Sequence, residues 1–285
     1  MNDRNKRRVI EAGLCTDTSY IPKVPGAGSV RVDEMGNRVQ ITHNGLMVLA
    51  DGYYGDLITQ IMERLHGHHE PQEEKAFHEV LKVIPQGATM IELGAYWAYY
   101  SMWFQKAIKG ARNFMVEPDR AALECGIKNF QLNGMRGDFT HARIGRTSSH
   151  DWQRAGLPGG NSEDARVCVK DFVQNKGIDR ADLLHADIQG FEYEMLCGCG
   201  DLIAQRKIGF VFISSHGLKL HFQCRKHLAG NGYTIIAEHT PKESYSDDGL
   251  IVASASPHTL ARIEISKRPV SARQRFKAAV FKLLV

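Results

Sequence analysis

The run from Thr89 to Phe104, TMIELGAYWAYYSMWF, constrains this chain more than any other stretch. A short apolar run, Met90 and Ile91, turns through Glu92-Leu93-Gly94-Ala95 into an apolar and aromatic segment that can enter a helix. Strand, tight turn and helix in that order place backbone N–H groups around a small ligand at the carboxyl end of a parallel strand. From Gly87 onward strand and helix patterns alternate, which predicts an α/β domain. Strands are expected at 89–93, 113–116, 138–142, 183–186, 209–213, 233–237 and 250–253. Helices are expected at 99–109, 120–133, 169–175, 191–202 and 218–229. The last two strands, separated by the turn-rich HTPKESYSDDG, would pair as a hairpin at one sheet edge.

Upstream, residues 1–29 end in YIPKVPGAGS and read as a flexible arm. Residues 30–86 read as a cap of antiparallel strands and two helices, with turns at Gly36-Asn37 and Asn44-Gly45. Between those helices HGHHE is expected as a solvated connection, the mouth of a site being the other reading. Residues 87–261 form the α/β domain, and 262–285 a basic amphipathic segment with Phe276, Val280 and Leu284 at near-helical spacing. That tail would dock on the body or on a second copy of the chain, with an anionic membrane surface as the alternative. Within the domain, 145–165 is a long polar insertion, read equally as a lid or as a surface excursion.

Charge narrows the partners. Residues 262–285 carry a net +6 and the first eight +3, which leaves 9–261 at −5. A mildly acidic body excludes the broad positive channel of a nucleic-acid enzyme. The six cysteines form no paired C-x-x-C pattern, so a reducing, cytoplasmic setting is expected. No apolar run reaches the roughly 20 residues that span a bilayer.

Three acids fall at expected strand ends: Glu92, Glu117 and Asp187. In an open parallel sheet that edge is where ligands bind. Glu117, one strand after the glycine turn, suits a ribose diol. A nicotinamide dinucleotide would want G-x-G-x-x-G, but Tyr96, Trp97 and Ala98 stand where its later glycines belong. Glu92 beside the turn repels a pyrophosphate and suits a cationic ligand. S-adenosylmethionine, with a sulfonium, an amine and a ribose, meets those demands.

These residues resemble a known family. IELGAYWAYYS is similar to the first motif of class I methyltransferases, in the D-x-G-A-N-x-G-x-x-S form of FkbM methyltransferases. MVEPD followed by KNFQLNG resembles that family's F-E-P segment and N-x-x-L-N helix, and LLHADIQGFEYEMLCG resembles its K-x-D-x-E-G-x-E-x-x-x-L-x-G signature. The resemblance implies a Rossmann-like sheet of seven mostly parallel strands and S-adenosylmethionine-dependent O-methylation of a hydroxyl on a sugar or glycosylated natural product. By position Glu92 and Gly94 would line the methionine end, Ser101 would close the first motif, Glu117 would hold the ribose, Asp187 would lie near the transferred methyl, and Glu192 would order the loop. Tyr96, Ala98 and Gln189 depart from the family pattern and predict a reshaped cofactor loop.

A sugar hydroxyl needs a base or a metal to become a nucleophile. Asp187 and His216 are the catalytic candidates, with His185 and His221 nearby in sequence. Asp187 and His216 could also hold Mg²⁺ or Mn²⁺. Tyr53 and Tyr54 are candidates for touching substrate, while Cys197 and Cys199 read as packing residues. The alternatives are N- or carboxyl-methylation, or an interaction module that no longer binds the cofactor.

Overall fold

The computed structural model describes residues 2–154, 165–256 and 260–271. The chain carries the expected α/β sheet, whose seven strands run in the order β11-β12-β10-β9-β4-β5-β6. These are β4 (Thr89–Leu93), β5 (Arg112–Glu117), β6 (Asp138–His141), β9 (Ala181–Ala186), β10 (Ile208–Ser215), β11 (Thr234–His239) and β12 (Gly249–Ser254). All pairings are parallel except those of β12, which lies antiparallel to both β10 and β11. The edge hairpin is therefore present. A small separate pair, β7 (Arg143–Ile144) and β8 (Arg166–Val167), lies beyond β6 in the chain.

Both faces of the sheet are apolar, so successive residues of each strand feed different cores. Met90, Phe210 and Phe212 pack with α3 (Pro71–Leu81), α4 (Tyr99–Ala107) and α5 (Arg120–Leu132). Ile91, Val211 and Ile213 pack on the other face with α6 (Val169–Asn175), α7 (Glu192–Gly198) and α9 (Leu218–Gly230). Phe212 is fully buried, and truncation of such a ring to alanine costs about 3–5 kcal/mol. The expected helix at 191–202 is broken in two, because Gly200 turns left-handed (φ +55°) between α7 and α8 (Asp201–Ala204).

The cap is a three-stranded antiparallel sheet, β1 (Val30–Val32), β2 (Arg38–Ile41) and β3 (Met47–Leu49), followed by α2 (Asp56–Arg64) and α3. Two expectations for the upstream region are corrected. Residues 1–29 are not a bare arm: Asp3–Ala12 is a helix, α1, capped by the Asn2 side chain, and Ala12, Cys15 and Ile21 are buried. HGHHE is not solvated beyond His66. His68 and His69 are buried because Glu74 accepts from the His68 ring and from the His69 backbone N–H, while Tyr99 donates its hydroxyl to the same carboxylate. Polar groups that are paired and hydrogen-bonded can be buried where isolated ones cannot.

Residues 260–271 strap the body together rather than standing apart from it. The Ile263 N–H donates to the Ile236 carbonyl, Ser266 donates twice to Asp17, and Arg268 pairs with Glu11 of α1 at 3.0 Å. The apolar tail positions Phe276, Val280 and Leu284, and 155–164 of the insertion, lie outside the described residues. Among the described residues no helix is long and apolar enough to cross a membrane.

Candidate active site

Strand order reverses direction of growth between β4 and β9, and the carboxyl ends of those strands frame the site. Here the two chains nearly touch. The Asp187 N–H donates to the Leu93 carbonyl at 3.0 Å, and the Asp187 carbonyl presses on Gly94 (φ +73°). A Cβ on Gly94 would overlap that carbonyl oxygen and lie 2.8 Å from its carbon. Only glycine fits both the conformation and the space.

The loop that follows carries two more left-handed residues, Tyr96 (φ +40°) and Ala98 (φ +58°). Ala98 is the N-cap of α4 and has no side chain to offer the helix's free N–H groups. Glu92 on β4 supplies the acceptor instead, taking the Ser101 N–H at 3.1 Å. Asn129 of α5 holds the loop from outside, donating to the Trp97 carbonyl at 2.9 Å. Of the bulky residues, Tyr96 lines the cleft and Trp97 does not. Trp97 is buried against the cap, stacked on Tyr53 at 4.7 Å and 8°, and Ala98 is fully buried. Non-glycine residues with positive φ gather at the site, since Tyr54, Tyr96 and Gln189 all line it.

Two cavities meet here. The larger, about 530 Å³, runs along the strand ends past Gly94, Glu117, Pro118, Ile144 and Phe191. The smaller, about 210 Å³, lies under the cap and is lined by Glu70, His216 and Asp248 among others. Tyr53, Tyr54, Asp187 and Gln189 line both. Glu117 ends β5 and accepts the N–H groups of Tyr96 (3.0 Å) and Asp119 (2.8 Å), which fixes its carboxylate at the cleft. Burial raises its pKa above the usual carboxylate range. A carboxylate at this strand end, a glycine turn beside it and a cleft of this size fit S-adenosylmethionine.

The smaller cavity is strongly acidic. His216, just past β10, is set by Glu192, whose Oε1 accepts from Nδ1 at 2.8 Å and also takes the N–H groups of Ile188 and Gly190. His216 Nε2 then faces Asp187 Oδ1 at 3.3 Å and Asp248 Oδ1 at 3.4 Å. Burial, reinforced by Glu70, pushes Asp187 up to about 8, although His216 pulls the other way. Burial opposes charge on His216, but its bond to Glu192 and the charges of Asp248 and Asp187 raise it to about 9. Asp248 rises to about 6, mainly by burial. Arg8 of α1 reaches over this cavity and is neutralised by Asp247 at 2.8 Å.

The sequence candidates divide accordingly. Gly94, Glu117, Asp187 and His216 converge on the two cavities, as do Tyr53 and Tyr54. Glu92 and Ser101 sit behind the wall, bonded to each other, and line neither cavity. His185 is buried against Glu73 at 2.7 Å, and His221 lies between Ser215 and Glu238 at 2.8 and 3.2 Å. Glu70 and Asp248 are site residues that sequence reasoning missed. Topology points to Asp248: β11 runs parallel to β10, so the hairpin turn after it returns over the same edge as the other strand ends.

A model of the methyltransferase FkbM domain matches residues 85–239. Among solved structures, the precorrin-6y C5,15-methyltransferase of Geobacter metallireducens GS-15 is similar at 14% identity and a TM-score of 0.42, covering 64% of this chain and 88% of that one. TrmK of M. capricolum with S-adenosyl-homocysteine matches at 15% and 0.40, over 69% and 71% of the two chains. The ribosomal protein L11 methylase of Lactobacillus delbrueckii subsp. bulgaricus matches at 13% and 0.41, over 66% and 79%. A search of the curated proteins finds no match. The family match covers more than half of the chain and agrees with the sheet. The chain belongs to the FkbM family of S-adenosylmethionine-dependent methyltransferases.

Proposed function

We propose that the chain methylates a hydroxyl of a sugar or glycosylated natural product. The observation that carries this reading is the junction of the two cavities at Asp187, where a carboxylate of raised pKa faces the acceptor space. When bound, S-adenosylmethionine supplies an electrophilic methyl on its sulfonium. Glu117 holds the ribose, and Tyr53 and Tyr54 wall the passage between cleft and acceptor cavity. A hydroxyl must lose a proton as it is alkylated, and a base titrating near neutral pH is matched to that task. Gln189 donates to Asp187 Oδ1 at 3.2 Å and His216 faces the same oxygen, so Oδ2 is left to receive the proton. His216, held by Glu192, lines the acceptor cavity and fixes Asp187.

Sugar hydroxyls are donors, and Glu70, Asp187 and Asp248 are acceptors, while the exposed ring of Tyr54 suits stacking on a pyranose. A carboxylate acceptor would meet like charge in the same cavity. The six cysteines are unpaired, which supports a cytoplasmic site of action. The test is methyl transfer from labelled S-adenosylmethionine to a panel of saccharides, amines and carboxylates. Transfer to hydroxyls is expected, with kcat about 10²- to 10⁴-fold lower in Asp187→Asn. Transfer confined to amines or carboxylates, or an Asp187→Asn enzyme of unchanged kcat, would refute the reading.

A further inference from the structure

Two clusters of the described residues group potential metal ligands. The first, His43, His68 and Glu74, is a closed network. The imidazoles of His43 and His68 stack at 4.1 Å with planes 14° apart. Ring-nitrogen lone pairs lie in the ring plane, so two near-parallel stacked rings cannot aim at one ion. Glu74 Oε2 is already claimed by the His68 ring and by the Tyr99 hydroxyl at 2.8 Å.

The second cluster behaves differently. Glu192 takes the Nδ1 side of His216, so it cannot share an ion with Nε2. The Nε2 side instead faces Asp187 and Asp248. We propose that His216 Nε2, Asp187 Oδ1 and Asp248 Oδ1 form a binding site for a divalent first-row cation, open toward the acceptor cavity.

Three observations support the site. Two donors held about 2.1–2.2 Å from one ion stand about 3.0–3.6 Å apart as the angle between them opens from about 90° to about 110°. The observed separations from Nε2 are 3.3 and 3.4 Å, so each carboxylate stands within that range of the ring nitrogen. Nε2 is itself buried and makes no hydrogen bond, although both carboxylates are that close. Both oxygens therefore lie off the N–H axis, which is where ligands beside an ion on that axis would stand. Finally, Glu192 holds the opposite nitrogen, and metal-bound histidines ordinarily pass their other N–H to a carboxylate in this way. One histidine and two carboxylates suit Mn²⁺, Fe²⁺ or Zn²⁺, with room left for an acceptor oxygen.

The role of the ion beside the acceptor rests on the proposed function; its binding does not. The full chain, stripped with chelator and desalted, is titrated with MnCl₂ and then ZnCl₂ alone, read by calorimetry and by the paramagnetic resonance of free Mn²⁺. One saturable site per chain is expected. Affinity should fall at least tenfold in Asp248→Asn and about 10- to 100-fold in Glu192→Gln, which supports His216 and the loop at Ile188 and Gly190. Glu124→Gln, an exposed acid of α5 paired with Arg120, should bind as the parent does. Thermal melts and far-UV dichroism establish that each variant is folded. Absence of saturable binding to either ion at millimolar concentration overturns the inference, as does an Asp248→Asn protein that binds undiminished. Hydroxyl methylation by a protein without an ion site counts against this inference alone. An intact ion site in a protein that methylates no hydroxyl counts against the proposed reaction alone.

Discussion

Replacing Gly94 by alanine is expected to damage folding and cofactor binding together, because one atom position joins them. The new Cβ overlaps the Asp187 carbonyl oxygen and lies 2.8 and 3.2 Å from Asp187 C and Ile188 Cγ2. The nearest obstacle is backbone at the end of a central strand, not the tip of a flexible side chain. An L-residue in the left-handed region adds about 1–2 kcal/mol, and overpacking typically about 1–3 kcal/mol. The variant should therefore lose about 2–5 kcal/mol in urea unfolding, followed by tryptophan fluorescence. Relief of the overlap requires β4 and β9 to part, which moves Asp187. Since a displacement of about 1 Å near the reacting groups can cost about 10²-fold in rate, activity should fall by that order even where the variant remains folded. A Gly94→Ala protein within about 0.5 kcal/mol of the parent, with unchanged affinity for S-adenosylhomocysteine, would refute the claim that this contact organises the site.

Two further perturbations separate support from contact. Glu92→Ala leaves the buried Ser101 N–H without its acceptor, so stability should fall by about 1–3 kcal/mol while cofactor affinity falls less than in Glu117→Ala. Equal losses of affinity in the two would place Glu92 in the cleft after all. On the pH side, burial opposes charge on His69, but Glu70 and Glu74 raise it to about 10, well above its ordinary value. A group whose folded value is raised stabilises fully below its unfolded value and loses that contribution as pH climbs through the folded one. Stability should thus decline between about pH 6.5 and 10 by an amount on the order of a few kcal/mol, and less steeply in His69→Gln. Equal slopes in parent and variant would contradict the pairing.

How much of this was legible differs by element for physical reasons. Strands buried on both faces show as short apolar runs, so β4, β9 and β10 were placed within a few residues. Gly94, Glu117 and Asp187 were readable because each follows such a run. The cap was harder. Asp3–Ala12 has few apolar residues, and its partners are α2, Asp247 and the strap at Arg268, all distant in sequence. His68, His69, Glu73 and Glu74 look hydrophilic one at a time and become core only as pairs. Tyr96, Trp97 and Ala98 stand where a dinucleotide's later glycines belong, and of the two bulky ones Trp97 stacks on Tyr53 of the cap while Tyr96 lines the cleft. Glu70 and Asp248 reach the acceptor cavity through folding of the cap and hairpin over one edge, which no local pattern announces.

The account stands most directly on whether the cleft beside Glu117 binds the cofactor's product. Calorimetric titration of S-adenosylhomocysteine into the full chain should give one site per chain, weakened at least tenfold in Glu117→Ala protein that far-UV dichroism shows to be folded. No binding by the folded parent protein, or binding that Glu117→Ala leaves intact, would contradict it.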